Sequence, residues 1–202
     1  MTAEAIEHLC RSDKILARLI KKVGPCTMRL RRRTPFAALV SAVTYQQLNG
    51  TAAETILKRF LALYPAKRFP TPEDVLATRD EFMRAAGLSR AKTAAIKDIA
   101  AKTVEGIVPS SRIIVKLSNE EIIERLTSVR GVGPWTVEML LMFTLGRLDV
   151  LPSTDYGVRK GFAITFGWKD LPTPKELLAY GERWRPHRST AAWYLWRALE
   201  LP

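Results

Sequence analysis

One carboxylate, Asp155, stands in the segment LPSTDYGVRKGF (Leu151–Phe162), twenty positions beyond the tryptophan of RGVGPWTVEMLLMF (Arg130–Phe143). The residues that follow it, YGVRKGF, read as the start of a helix. An aspartate there either caps the free N–H groups of the first turn or presents a charge that the helix dipole favours, ready for chemistry. Asp149 is the alternative carboxylate near this segment. Upstream, Gly131 and Gly133 let the backbone turn sharply and leave its amides uncovered by side chains. Pro134 then starts a second helix, whose unpaired N–H groups and positive dipole end face the turn. Such a turn receives a phosphate without any side-chain charge. A dinucleotide-binding loop does not fit, because no third glycine follows and no strand leads in. A plain helix–helix turn fits the same fourteen residues.

These groups need a scaffold, and the chain supplies helices. Thr34-Pro35 pairs a capping hydroxyl with a proline at the first helical position, and the helix it opens aligns Phe36, Leu39, Val40 and Val43 before ending near Gln46, Gln47, Leu48 and Asn49. Helical spacing recurs in AAETILKRFLALY, in SRAKTAAIKDIAAKTVEG with Ser89 as cap and Gly106 as stop, and in STAAWYLWRALE. Ser118 with Glu121, and Thr173 with Glu176, form capping-box patterns. RIIVKL and LDVLP are expected as extended connections. The predicted fold class is all-α and two-lobed, with many short helices. A cleft is expected between an interior helical bundle and a lobe that includes the N-terminus.

The chain has 202 residues, with 32 Lys and Arg against 20 Asp and Glu, a formal net charge of +12. That imbalance favours a polyanion, nucleic acid ahead of an anionic membrane, over a merely solvated basic face. Arg29, Arg31, Arg32 and Arg33 cluster before the Pro35 helix, and Arg183, Arg185 and Arg188 interleave with Trp184. The two cysteines, Cys10 and Cys26, are too few for a four-thiolate metal site and are expected to be reduced thiols. His8 and His187 lie far apart in sequence, and surface or structural roles are expected for both. No signal peptide and no run near the roughly 18 apolar residues of a membrane span are evident.

With these motifs in hand, the sequence resembles the helix–hairpin–helix DNA glycosylases, a superfamily whose Gly/Pro-rich hairpin loop is followed by an aspartate. The likeness is strongest to the 3-methyladenine DNA glycosylase II (AlkA-type) branch. PFAALVSAVTYQQLNGTAAETI, AAGLSRAKTAAIKDIA and GERWRPHRSTAAWYLWRALE match the family's early, middle and C-terminal helices in order. The resemblance implies a single glycosylase unit over residues 1–202, with hairpin and catalytic loop at about 118–162. It further implies a monofunctional hydrolase that removes alkylated purines from double-stranded DNA for base excision repair. The alternatives are a non-catalytic helix–hairpin–helix DNA-binding module and an oxidised-base glycosylase.

Site roles follow from the same resemblance. Asp155 is the expected catalytic group, stabilising an oxocarbenium-like sugar or orienting water. Trp135, Met139 and Trp196 are expected around the extruded base, with both tryptophans open to a core role instead. Gln47 and Leu48 are the candidate wedge that fills the gap in the stack; the alternatives are that Leu48 is core and that Gln47 merely ends the helix. Arg130, Gly131, Val132, Gly133, Trp135 and Thr136 are the expected hairpin contacts to the DNA backbone. No cofactor is expected, and no metal held by side chains, although a structural Na+ or K+ at hairpin carbonyls is in keeping with the family. Trp135 stands where lyase-competent members carry lysine, and Met139 where the AlkA-type branch often has tyrosine. The C-terminal cysteines of the endonuclease III branch have no counterpart here, and the extra N-terminal β-domain of some members is not expected in 202 residues. The expected partner is damaged double-stranded DNA, with no membrane. A monomer is expected, cytoplasmic and nucleoid-associated in a bacterium or nuclear in a eukaryote.

Overall fold

The computed structural model describes residues 3–201. Among these it holds thirteen α-helices and no strand. In chain order they are α1 (Ala3–Ser12), α2 (Lys14–Val23), α3 (Pro35–Tyr45), α4 (Gly50–Ala62), α5 (Pro72–Ala77), α6 (Asp80–Ala85) and α7 (Arg90–Val104). The remainder are α8 (Ser111–Ile114), α9 (Asn119–Thr127), α10 (Pro134–Phe143), α11 (Tyr156–Phe166), α12 (Pro174–Gly181) and α13 (Arg188–Ala198), with a 3-10 turn at Glu182–Trp184.

Boundaries follow the local chemistry. The Thr34 hydroxyl accepts from the Ala37 amide at 3.2 Å, the Ser89 hydroxyl from Lys92 at 3.2 Å, and both expected capping boxes close. Each cap of this kind contributes about 0.5–2 kcal/mol to its helix. One expectation fails. RIIVKL is not an extended connection, because Ser111–Ile114 coil into α8. Its isoleucines favour strands only where a neighbouring strand satisfies the backbone. Here the amides of Ile113 and Ile114 both donate to Ser110 O at 3.0 Å, and Ile114 is buried.

The chain divides into two compact units. One is contiguous, Arg31–Leu140. In it α3 is apolar nearly all round, as a helix enclosed by others must be, and packs against α4 and α7, while α5 packs on α7. Leu39, Val40, Val43, Phe60, Ile96 and Ile99 form its centre, each buried side chain worth roughly 1.5–3 kcal/mol.

The other unit joins Met1–Leu30 to Leu141–Pro202. Here α11 packs against α13 at Gly161, where the Leu195 carbonyl occupies the space into which any Cβ would project. Phe162, Phe166, Tyr180 and Trp184 cluster ring against ring. Trp184 is fully buried, and its indole donates to Asp13 Oδ2 at 3.0 Å. Asp13 Oδ1 caps α2, accepting from Ile15 and Leu16 at 3.0 Å each. His8 and His187 meet edge to face with centroids 5.3 Å apart, His187 being buried.

Candidate functional site

The hairpin joins α9 to α10, and its two glycines are not equivalent. Gly131 has φ +77°, and a Cβ there would lie 2.8 Å from Ala95 Cβ. Gly133 lies outside the left-handed region and has open space where a Cβ would point. Gly131→Ala is therefore expected to lower stability by about 1–3 kcal/mol, whereas Gly133→Ala changes it by less than about 1 kcal/mol. Denaturant unfolding of the two variants checks this, and equal losses would contradict the asymmetry.

Not every amide of the loop lies open. The Arg130 amide donates to Asp98 Oδ2 at 2.8 Å, and the Val132 amide to Val129 O at 3.1 Å. Val132 is buried, and so is Thr136. A tight turn this short satisfies part of its own backbone, since an unpaired buried amide is costly. The Gly131 and Gly133 amides donate to no other group among the described residues. Trp135, on the first turn of α10, is 40% exposed, and Met139 one turn later is half-buried.

The candidate wedge lies in the turn between α3 and α4. Gln47 is exposed and adopts φ +55°, a region that costs a non-glycine residue about 1–3 kcal/mol unless its surroundings hold it. Leu48 is 40% exposed, so its core alternative is not realised. Gln46, which sequence reasoning left as a helix end, donates from Nε2 to Gly131 O at 3.0 Å and to Thr136 Oγ1 at 3.2 Å. Lys92 of α7 donates from Nζ to Thr44 O and Gln46 O, both at 2.8 Å. No local signal marks these contacts, which span 46 to 90 residues of sequence.

Asp155 caps α11. Its Oδ1 accepts from the Val158 amide at 2.7 Å and from Trp196 Nε1 at 2.8 Å. The two uses of the carboxylate are thus compatible, because the capping bonds also lock its rotamer. Gly157 makes room for this arrangement. A Cβ there would lie 2.9 Å from Trp196 Cδ1 and 3.1 Å from Asp155 Oδ1. Trp196 is half-buried, its ring 5.9 Å from that of Phe143, a neighbour that sequence reasoning missed.

The alternative carboxylate is committed elsewhere. Arg188 Nε reaches Asp149 Oδ1 at 2.6 Å, and Arg185 Nη1 reaches Oδ2 at 2.7 Å. Both arginines also pair with Glu182, while the Arg183 guanidinium stacks 3.7 Å over Tyr180. These three arginines therefore have intramolecular work. Arg31, Arg32 and Arg33 are exposed by surface area, but part of the Arg33 guanidinium is desolvated, and that, with the Arg31 charge next, holds Arg33 below its ordinary value.

Residues 40–186 match the HhH-GPD superfamily of base excision DNA repair proteins. The chain belongs to this superfamily. Among relatives of this HhH-GPD protein, DNA-3-methyladenine glycosylase 1 of Schizosaccharomyces pombe is 40% identical over 196 residues, covering 96% of this chain and 86% of that protein. The solved structure of the 3-methyladenine DNA glycosylase of the same yeast, in complex with abasic DNA, superposes with a TM-score of 0.90 at 40% identity over 98% of both chains. A DNA-3-methyladenine glycosidase from Bacillus halodurans gives a TM-score of 0.85 at 32% identity, covering 98% of this chain and 89% of that one.

Proposed function

We propose that this HhH-GPD protein is a monofunctional DNA glycosylase that hydrolyses the N-glycosidic bond of alkylated purines, of the 3-methyladenine and 7-methylguanine type, in double-stranded DNA. The observation that carries the reading is the Asp155 carboxylate, fixed by the Val158 amide and the Trp196 indole on the loop that follows the hairpin. Binding alone needs no oriented carboxylate. An alkylated purine already carries positive charge, so cleavage of the C1′–N bond sends the electron pair to the base, which leaves neutral. Charge then develops on the sugar, where Asp155 stabilises it. Water adds to C1′ and loses its proton, leaving a free base and an intact abasic strand.

Trp135 offers an exposed indole face to a cationic base, an attraction of about 0.5–2 kcal/mol. The Gly131 and Gly133 amides meet a backbone phosphate, Gln47 and Leu48 fill the gap left by the extruded base, and the exposed arginines add affinity without sequence choice. The neutral carbonyls of the turn suit a Na+ or K+ ion, since carbonyl oxygens favour hard cations. Gly131 O, accepting one bond from Gln46, keeps a lone pair for it. The protein acts as a monomer in this reading.

One experiment tests the reaction and its limit together. Incubation with methylated DNA is expected to release methylated purines identifiable by chromatography. Borohydride added to the same reaction is expected to trap no adduct at the rate of base release, because an indole at position 135 forms no imine. Release of oxidised bases only, or of none, would refute the substrate assignment. A stoichiometric covalent adduct would refute the monofunctional one.

A further inference from the structure

Gln46 and Lys92 together hold the turn that presents Gln47 and Leu48. The Gln46 side chain runs to the hairpin, to Gly131 O and Thr136 Oγ1. Lys92 of α7 holds the backbone of Gln46 and of Thr44 by donating to both carbonyls. Carbonyls at the end of a helix lack intrahelical partners and favour a cation. Partial burial lowers Lys92 from its ordinary value. On the far side of the tip, Asn49 accepts from the Ala52 amide at 2.8 Å and anchors α4. The turn that carries the left-handed Gln47 is thus held from three directions, as a conformation of this kind requires to persist.

We infer that Gln46 is a positioning residue that ties the exposed Gln47–Leu48 tip to the hairpin, so that backbone grip and gap filling move as one rigid piece. The inference rests on the glycosylase reading above. A tip inserted into a base stack must stay in place while the stack opens. Gln46 fixes it to Gly131, whose own amide and that of Gly133 donate to no other group among the described residues. Without the strut, Gln47 relaxes and Leu48 shifts, while the amide contacts to the backbone survive. The loss then falls on extrusion of the base and not on binding.

The test uses Gln46→Met, which keeps the chain length and removes both donors. Two duplexes each carry one 7-methylguanine, opposite cytosine in the first and opposite an abasic gap in the second, where extrusion costs least. Single-turnover release is expected to fall about tenfold on the paired duplex and less than about threefold opposite the gap. Affinity for undamaged duplex is expected to stay within about twofold. Lys92→Met, which frees the turn from the other side, is expected to show the same split. Equal losses on both duplexes would give Gln46 a purely structural role and overturn the inference, as would no loss on either. Wild-type protein inactive on both duplexes would instead overturn the glycosylase reading itself.

Discussion

Asp155→Asn is expected to slow base release by about 10²–10³-fold or more, the scale on which a preorganised electrostatic group acts. Affinity for DNA is expected to remain within a few-fold, because backbone contacts set it. The fold is expected to survive. Asparagine caps helices about as well as aspartate, and its Oδ1 can accept both the Val158 amide and the Trp196 indole, bonds of 2.7 and 2.8 Å in the wild type. A melting temperature within about 2 °C of wild type would establish that only charge was removed. Substantial turnover in this variant would move the chemistry to another group, and Asp149, held by Arg185 and Arg188, is poorly placed to take it over.

Gly161→Ala is expected to give the largest loss of stability from a single methyl group. The position is buried, and the Leu195 backbone carbonyl fills the space a Cβ needs, so α11 and α13 must separate. A flexible side chain could move aside, whereas a helix backbone cannot. Overpacking of this kind costs roughly 2–3 kcal/mol, a fall in melting temperature of about 4–12 °C for a chain of this length. Activity is expected to fall further than the folded fraction does. Asp155 caps α11 and Trp196 follows Leu195 on α13, so separation of the two helices stretches the bond between them. Thermal melting followed by circular dichroism checks the first effect. Base release measured well below the melting temperature checks the second. An unchanged melting temperature would mean that the two helices yield without cost.

Much of the scaffold was legible because its signals are local. Thr34-Pro35, Ser89, and the Ser118–Glu121 and Thr173–Glu176 pairs state helix starts within four residues, and the caps form where they stand. Asp155 was legible as a helix start for the same reason, and the family likeness marked it as the group to test. Composition indicated a polyanionic partner, since charge is summed over residues and needs no geometry.

What remained to the tertiary structure depends on contacts between residues distant in sequence. Gly131 and Gly133 look alike in the chain, and only the approach of Ala95 and the sign of φ separate them. Arg185 and Arg188 read as part of a basic cluster and Asp149 as an alternative carboxylate, yet the fold joins them into ion pairs. Trp196 was open to pocket or core, and only the fold brings its indole to the Asp155 carboxylate 41 positions earlier. The start of RIIVKL coils into α8 because the described residues hold no strand to reward extension. Gln46, a helix end by its local pattern, gains its bonds from a hairpin 85 residues on. Capping and charge belong to short windows of sequence, but the partner of a long polar side chain is chosen by packing, which brings distant segments within hydrogen-bond reach.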